Sequence, residues 1–283
     1  MTKSISDLEE IARKCRVEIV KMVHRAQAGH PGGSLSEIDL LAALYATRMR
    51  VRPDEPKWGD RDRFILSKGH ASPGMYSILA EMGFISHEDL KSYRVLGGVC
   101  QGHVDMKWCP GVDFSAGSLG MGLSFGMGCA TAARLDKSDR RAFVMIGDGE
   151  MQEGQIWEGI MLSAQLKLKN LITILDYNKL QSDDFNKNII NLEPIEKKMI
   201  SFNWNVIKIN GHSFSEIDYA MKKKFKNQKP TFIIANTIKG KGISYMENKP
   251  LWHGSVKMNK DQIRLALEEL KADNKFKKIC NII

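Results

Sequence analysis

Apolar side chains recur at Leu8, Ile11, Ala12, Cys15, Ile19, Val20 and Val23. Steps of three and four lay them on one helical face, predicting a helix over 6–28 that Gly29 stops. A second helix is predicted from Ser34 or Ser36, capped by the hydroxyl, through Leu40, Leu41 and Leu44. Further along the pattern changes. Arg63-Phe-Ile-Leu, Ala142-Phe-Val-Met-Ile, Leu171-Ile-Thr-Ile-Leu, Asn205-Val-Ile-Lys-Ile and Thr231-Phe-Ile-Ile-Ala are short continuous apolar runs. Such runs suit strands buried on both faces, as parallel strands are. Helical patterns lie between them at 70–83, 120–135, 154–168 and 213–226. The alternation predicts an α/β fold, a doubly wound, mostly parallel sheet flanked by helices. In such folds ligands sit beyond the carboxyl ends of the strands.

The 154–168 segment stands apart. Ile156, Trp157, Ile160, Met161, Leu162, Ala164, Leu166 and Leu168 spread apolar groups around most of its circumference. A helix of that kind is buried on several sides, by its own sheet or at an interface. Met121, Leu123, Phe125 and Met127 would extend such an interface.

A chain of 283 residues, 43% apolar and 27% charged, is read as one soluble domain over 1–283. No repeat or linker divides it, and no run approaches the roughly 20 apolar residues of a membrane span. The start is acidic and helical, unlike a signal peptide. Five cysteines, odd in number and without a C-x-x-C pair, suggest reduced thiols in a cytoplasmic protein, against a disulfide scaffold or zinc site. The net charge of +9 gathers at Lys222–Lys226 and Lys271–Lys278. Both stretches read as solvated helix faces, a weak footprint for nucleic acid. A modest positive field also suits phosphorylated small molecules.

Candidate chemistry sits at the strand ends. Gly147-Asp148-Gly149 follows one run, and Asp176-Tyr177-Asn178 ends the next, with Asp148 and Asn178 thirty positions apart. One strand–helix–strand unit closes that spacing. Hard oxygen ligands suit Mg²⁺ or Ca²⁺ shared with phosphate, and flanking glycines let a diphosphate approach. The bland alternative is a simple Gly-Asp-Gly turn, with Asn178 a cap or turn residue. His30, His70 and His103 each follow a glycine. Each could decorate a turn, yet three Gly-His steps on loops of one layer suit phosphate contact and proton transfer. Gly120-Met-Gly-Leu-Ser-Phe-Gly126 approaches a dinucleotide fingerprint, but no strand precedes it and its third glycine is displaced.

Asp148 and Asn178 with their glycines resemble the thiamine-diphosphate motif. Gly29-His30-Pro31-Gly32-Gly33-Ser34, Leu66-Ser67-Lys68-Gly69-His70-Ala71, Gly102-His103-Val104-Asp105 and Ser115-Ala116-Gly117-Ser118-Leu119-Gly120-Met121-Gly122 accompany it. In this order and spacing they resemble the N-terminal domain of transketolases, nearly to Trp252-His253-Gly254. The resemblance implies Asp148, Asn178 and the Leu180 carbonyl as Mg²⁺ ligands. It implies His70, Gly149 and His253 as diphosphate contacts, and Gly117 and Leu119 as aminopyrimidine contacts. His30, His103 and His253 would face the thiazolium and the sugar hydroxyls, while Glu153 and Glu158 would couple paired active sites. The implied activity is ketol transfer between sugars or sugar phosphates with thiamine diphosphate. No segment resembles the pyrimidine-binding domain with its catalytic glutamate, so a partner chain carrying it is expected, in an α2β2 assembly. The competing readings are the α chain of a 2-oxo-acid dehydrogenase, a 1-deoxyxylulose-phosphate synthase, and a non-catalytic scaffold. The gene neighbour and a ketose panel would choose the sugar.

Overall fold

A computed structural model describes residues 3–272. All five apolar runs form strands: β1 (Arg63–Leu66), β2 (Ala142–Gly147), β3 (Leu171–Tyr177), β4 (Asn205–Asn210) and β5 (Thr231–Asn236). They make one sheet in the order β1-β2-β3-β5-β4, every neighbouring pair parallel. Successive side chains point to opposite faces. Phe64, Phe143, Met145 and Ile233 fill one core, and Ile65, Val144, Ile146, Phe232 and Ile234 fill the other. In β1, β2, β3 and β5 neither face is left to solvent, so the runs are continuous instead of alternating; the edge strand β4 exposes Lys208.

The helices divide between these two cores. α1 (Ile5–Ala26), α2 (Pro31–Thr47) and α3 (Ser72–Glu81) pack into the first. α4 (Met121–Leu135) and α5 (Gly154–Gln165) cover the second, as does α7 (Ile195–Ser201) beyond the single turn α6 (Asn186–Ile189). α8 (Phe214–Lys222) and α9 (Lys260–Glu269) return to the first.

Helix ends depart from the sequence reading where backbone chemistry decides them. α1 starts at a capping box on Ser4, whose hydroxyl accepts from Asp7 N while the Asp7 carboxylate accepts from Ser4 N. α2 does not start at Ser34 or Ser36. Pro31, its φ already helical, opens it; the Ser34 hydroxyl donates back to the His30 carbonyl, and the Ser36 hydroxyl donates to Asp176. α3 follows a tight turn over Gly69–Ala71, and α5 stops at Gln165. α8 ends at Lys222, so Lys223 to Lys226 leave the helix and are not its solvated face. α7 and α9 were not foreseen, although Asn259 and Gln262 form a second capping box. Cys15, Cys100, Cys109 and Cys129 are free thiols. Cys280 and most of the Lys271–Lys278 stretch lie outside the described residues. No helix among the described residues is long and apolar enough to cross a membrane.

Candidate functional site

Parallel pairing sets the site. Gly147 lies opposite Asp176 in register, so the loops after β2 and β3 leave the sheet side by side. Asp148 is 2% exposed and accepts from Gly149 N at 2.8 Å and from Lys179 N. Burial and the nearby Asp176 push its carboxyl up to about 6. The Asn178 carboxamide donates to Asp176 at 3.2 Å and accepts from Leu180 N at 3.1 Å. Asp148, Asn178 and Leu180 are therefore brought together. The Leu180 carbonyl, however, accepts from Lys239 Nζ at 3.0 Å, as does Gln181 O at 2.8 Å. Lys239 is 2% exposed, and burial depresses its ammonium to about 8. Its Nζ also lies 2.7 Å from His253 Nδ1. The sequence reading missed Lys239; its signal was a lysine beyond the end of a strand, followed by Gly240.

A buried ion network lies beneath the tips. Lys68 Nζ is 2.8 Å from Glu37 and 2.5 Å from Asp176, and it also donates to Gly33 O at 3.3 Å. Burial alone would raise the Asp176 carboxyl, but Lys68 holds it below the ordinary range, with Ser36 and Thr237 donating to it. Burial pushes Glu37 up to about 8. Helix α2, the end of β3 and the loop after β1 are thus tied by polar groups buried together, an arrangement that fixes position more than it adds stability.

Glu150, also missed, performs the same task for the loop before α4. It is buried and accepts from Gly120 N at 2.8 Å, Gly147 N at 3.0 Å and the Ser67 hydroxyl. Ser67 in turn accepts from Gly122 N at 3.1 Å. The backbone runs so close there that a Cβ at Gly122 would collide with Ser67, and Gly120 holds φ +86. The run that resembled a dinucleotide fingerprint is therefore a loop and helix start pinned to the β2 tip. Gly117 stands exposed with open space where a Cβ would be, and Leu119 is half-buried.

The three Gly-His loops converge with His253 into one cluster. Ring centroids lie 5.0 Å apart for His30 and His70, 6.2 Å for His30 and His103, 5.6 Å for His30 and His253, and 5.2 Å for His70 and His253. Burial, then His103, Arg94 and Lys239, depresses His30 to about 4; burial, then Lys239, depresses His253 to about 3. His70 and His103 are lowered too, by burial first. These are neutral imidazoles near pH 7, free to accept a proton or donate through one nitrogen. His30 Nδ1 is buried without a hydrogen-bond partner. A Cβ at Gly254 would overlap the His30 ring, so only glycine lets the two segments close.

Glu153 and Glu158 are not brought into this cluster. Both are exposed on the start of α5, which packs beside α4. These two helices leave Met121 (46%), Phe125 (37%), Met161 (51%) and Leu162 (45%) uncovered, while Leu123 is fully buried and cannot join an interface.

The residues fit an anionic cofactor with a divalent cation. Four neutral imidazoles meet the Lys239 ammonium, which in turn reaches the loop that carries the Asn178 carboxamide and adjoins the Asp148 carboxylate. Among the described residues no three His, Cys, Asp or Glu side chains could share a metal. A cation here would rest on mixed oxygen donors, as hard ions prefer.

Comparison with known proteins agrees. The chain is 41% identical over 253 residues to an apulose-4-phosphate transketolase subunit from Phocaeicola vulgatus, covering 89% of this chain and 90% of that protein. It is 39% identical over 274 residues to the 6-deoxy-6-sulfo-D-fructose transketolase subunit SqwG of a Clostridium species, covering 96% and 99%. The crystal structure of transketolase from Campylobacter jejuni superposes with a TM-score of 0.90 at 33% identity. That match covers 96% of this chain but 44% of the other, so the chain spans less than half the length of that transketolase. Residues 8–280 match the family described as transketolase, thiamine diphosphate binding domain, and the chain belongs to that family.

Proposed function

We propose that the chain is the diphosphate-binding subunit of a split transketolase, moving a two-carbon ketol unit from a ketose to an aldose. The observation that carries this reading is the neutral histidine cluster closed against Lys239 beside the Asp148 and Asn178 tips. Thiamine diphosphate, when bound, supplies the nucleophilic carbon and the electron sink for carbon–carbon cleavage. Asp148, Asn178 and the Leu180 carbonyl would hold Mg²⁺ or Ca²⁺. His70, Gly149, His253 and Lys239 would hold the diphosphate, with Gly117 and Leu119 against the aminopyrimidine. His30 and His103, with His253, would bind the sugar hydroxyls and move their protons, a role that needs the neutral imidazoles the site maintains.

Glu153 and Glu158 would link paired sites at the interface. The partner would be a C-terminal transketolase subunit with the pyrimidine-binding domain and the catalytic glutamate, in a cytoplasmic α2β2 assembly. Two findings support a partner: two relatives of matching length are named as subunits, and α4 and α5 expose large apolar side chains. Both relatives' names carry an anionic sugar, and an anionic ketose or aldose is the substrate class we assign.

The test assays this chain, the product of the neighbouring gene, and their mixture with thiamine diphosphate and Mg²⁺ against a panel of ketoses and 2-oxo acids. Ketol transfer by the mixture alone is expected. Robust turnover by this polypeptide with no second chain present by mass spectrometry removes the split, and 2-oxo-acid decarboxylation without ketol transfer removes the transketolase reading.

A further inference from the structure

The lysine run that interrupts α8 has no task in the reaction above. Its surroundings lie at the amino ends of the strands, the far end of a parallel sheet from Asp148 and the histidines. Six residues of strand separate the two ends by about 20 Å.

There the end of α2, the end of α8 and the loop into β5 line a half-open cleft of about 490 Å³. Phe143, Ile172, Met221 and Phe225 give it apolar walls. Seven lysines and arginines line it, and no aspartate or glutamate does. Part of that charge is already answered. Arg48 and Lys222 pair with Asp218, and Arg141 pairs with Asp62. Lys223 lies over the Tyr219 ring. Lys169, Lys224 and Lys229 are exposed at its rim and have no ion pair among the described residues, although all three face one space. Arg48 adds a buried Nε with no hydrogen-bond partner.

Like charges around one cleft raise each other's energy, and its apolar floor focuses the field they create. The volume is that of a small-molecule site, and the donors are those that bind phosphate. A single phosphate carries at most about two charges and would leave three free ammonium groups undercompensated. We propose that this cleft is a second anion site, separate from the cofactor site, which takes a small molecule bearing two or more linked phosphates. The apolar walls accept an attached organic group such as a nucleoside. The polyphosphate chain supplies the recognition.

Calorimetry on the full chain with its partner, saturated with thiamine diphosphate and Mg²⁺, tests this while the cofactor site is blocked. The probes are inorganic tripolyphosphate, ATP and adenosine, at low and at physiological salt. One saturable equivalent per chain is expected for tripolyphosphate and ATP, weaker at higher salt, and none for adenosine. ATP binding tighter than tripolyphosphate would place a nucleoside on the apolar walls; equal binding would assign the site to the phosphates alone. Replacing Lys169, Lys224 and Lys229 by alanine should weaken binding about tenfold or more, on the scale of surface ion pairs. Ketol transfer should be unchanged. Replacing Lys14, Lys57 and Lys257 instead removes the same charge elsewhere and should leave binding intact. No binding, equal loss in both triple variants, adenosine binding as tight as ATP, or capture of oligonucleotides without saturable tripolyphosphate binding would each overturn the proposal.

Discussion

His30 shows how one side chain carries both a functional and a thermodynamic signature. Its ring is held near pKa 4 by burial and by neighbouring positive or protonatable groups, whereas a free imidazole titrates near 6.5. Between those values the unfolded chain binds a proton that the folded chain refuses. Stability is therefore lost as pH falls from about 6.5 towards 4 and is regained above it. His70 and His253 add in the same sense. Thermal melts of His30→Asn between pH 7 and pH 5 should show a shallower loss than the parent chain. Equal slopes would mean that the acid sensitivity arises outside this cluster. The same desolvation leaves the Nδ1 of His30 unpartnered, a cost of roughly 1–3 kcal/mol that a bound ligand would relieve.

At the scale of elements, the proposed partner surface would lie on α4 and α5. Phe125 and Leu162 are large, apolar and uncovered, and neither fills the core. Phe125→Asp with Leu162→Asp should leave the chain's own melting temperature within a few degrees. In mixtures with the partner, size-exclusion chromatography should show the assembly lost. Normal assembly by this double variant would move the interface elsewhere. The strands were legible because burial on both faces forces continuous apolar runs, and all five were located to within two residues. Most helix starts were found as closely; the start of α2 was not, since Pro31 decides it through backbone geometry that hydrophobic spacing does not register. The Gly-His steps and the Asp148–Asn178 spacing were legible for a similar reason, because loops of one parallel layer must converge. Lys239, Glu150 and the Lys68–Glu37–Asp176 network were not. A buried charge is recognisable only by its partner, and Lys68 finds Asp176 at a separation of 108 residues.

For the whole molecule, the cofactor should act as a structural ligand. Anything that binds only the folded state stabilises it, by about 2.7 kcal/mol at a hundred times the dissociation constant. Thiamine diphosphate should raise the melting temperature of the assembled enzyme by several degrees with Mg²⁺ or Ca²⁺ present, and far less without. Asp148→Ala removes a buried carboxylate that two backbone N–H groups already satisfy. It should abolish the metal-dependent shift, and an undiminished shift would take Asp148 out of the metal site.

His30 and His253 touch across 223 positions of sequence, joined where only Gly254 permits the approach. During synthesis at about 5–20 residues per second, His30 leaves the ribosome roughly 10 to 45 s before its partner is made. The histidine cluster is thus completed only after all five described strands have been made. A polypeptide broken off before Lys239 still contains every strand, with Asp148, Asn178 and Leu180 at their tips, yet it lacks the closing wall. Under the proposed cofactor site, a polypeptide that extends through Gly254 would gain the ligand's stabilisation, and one broken off before Lys239 would not.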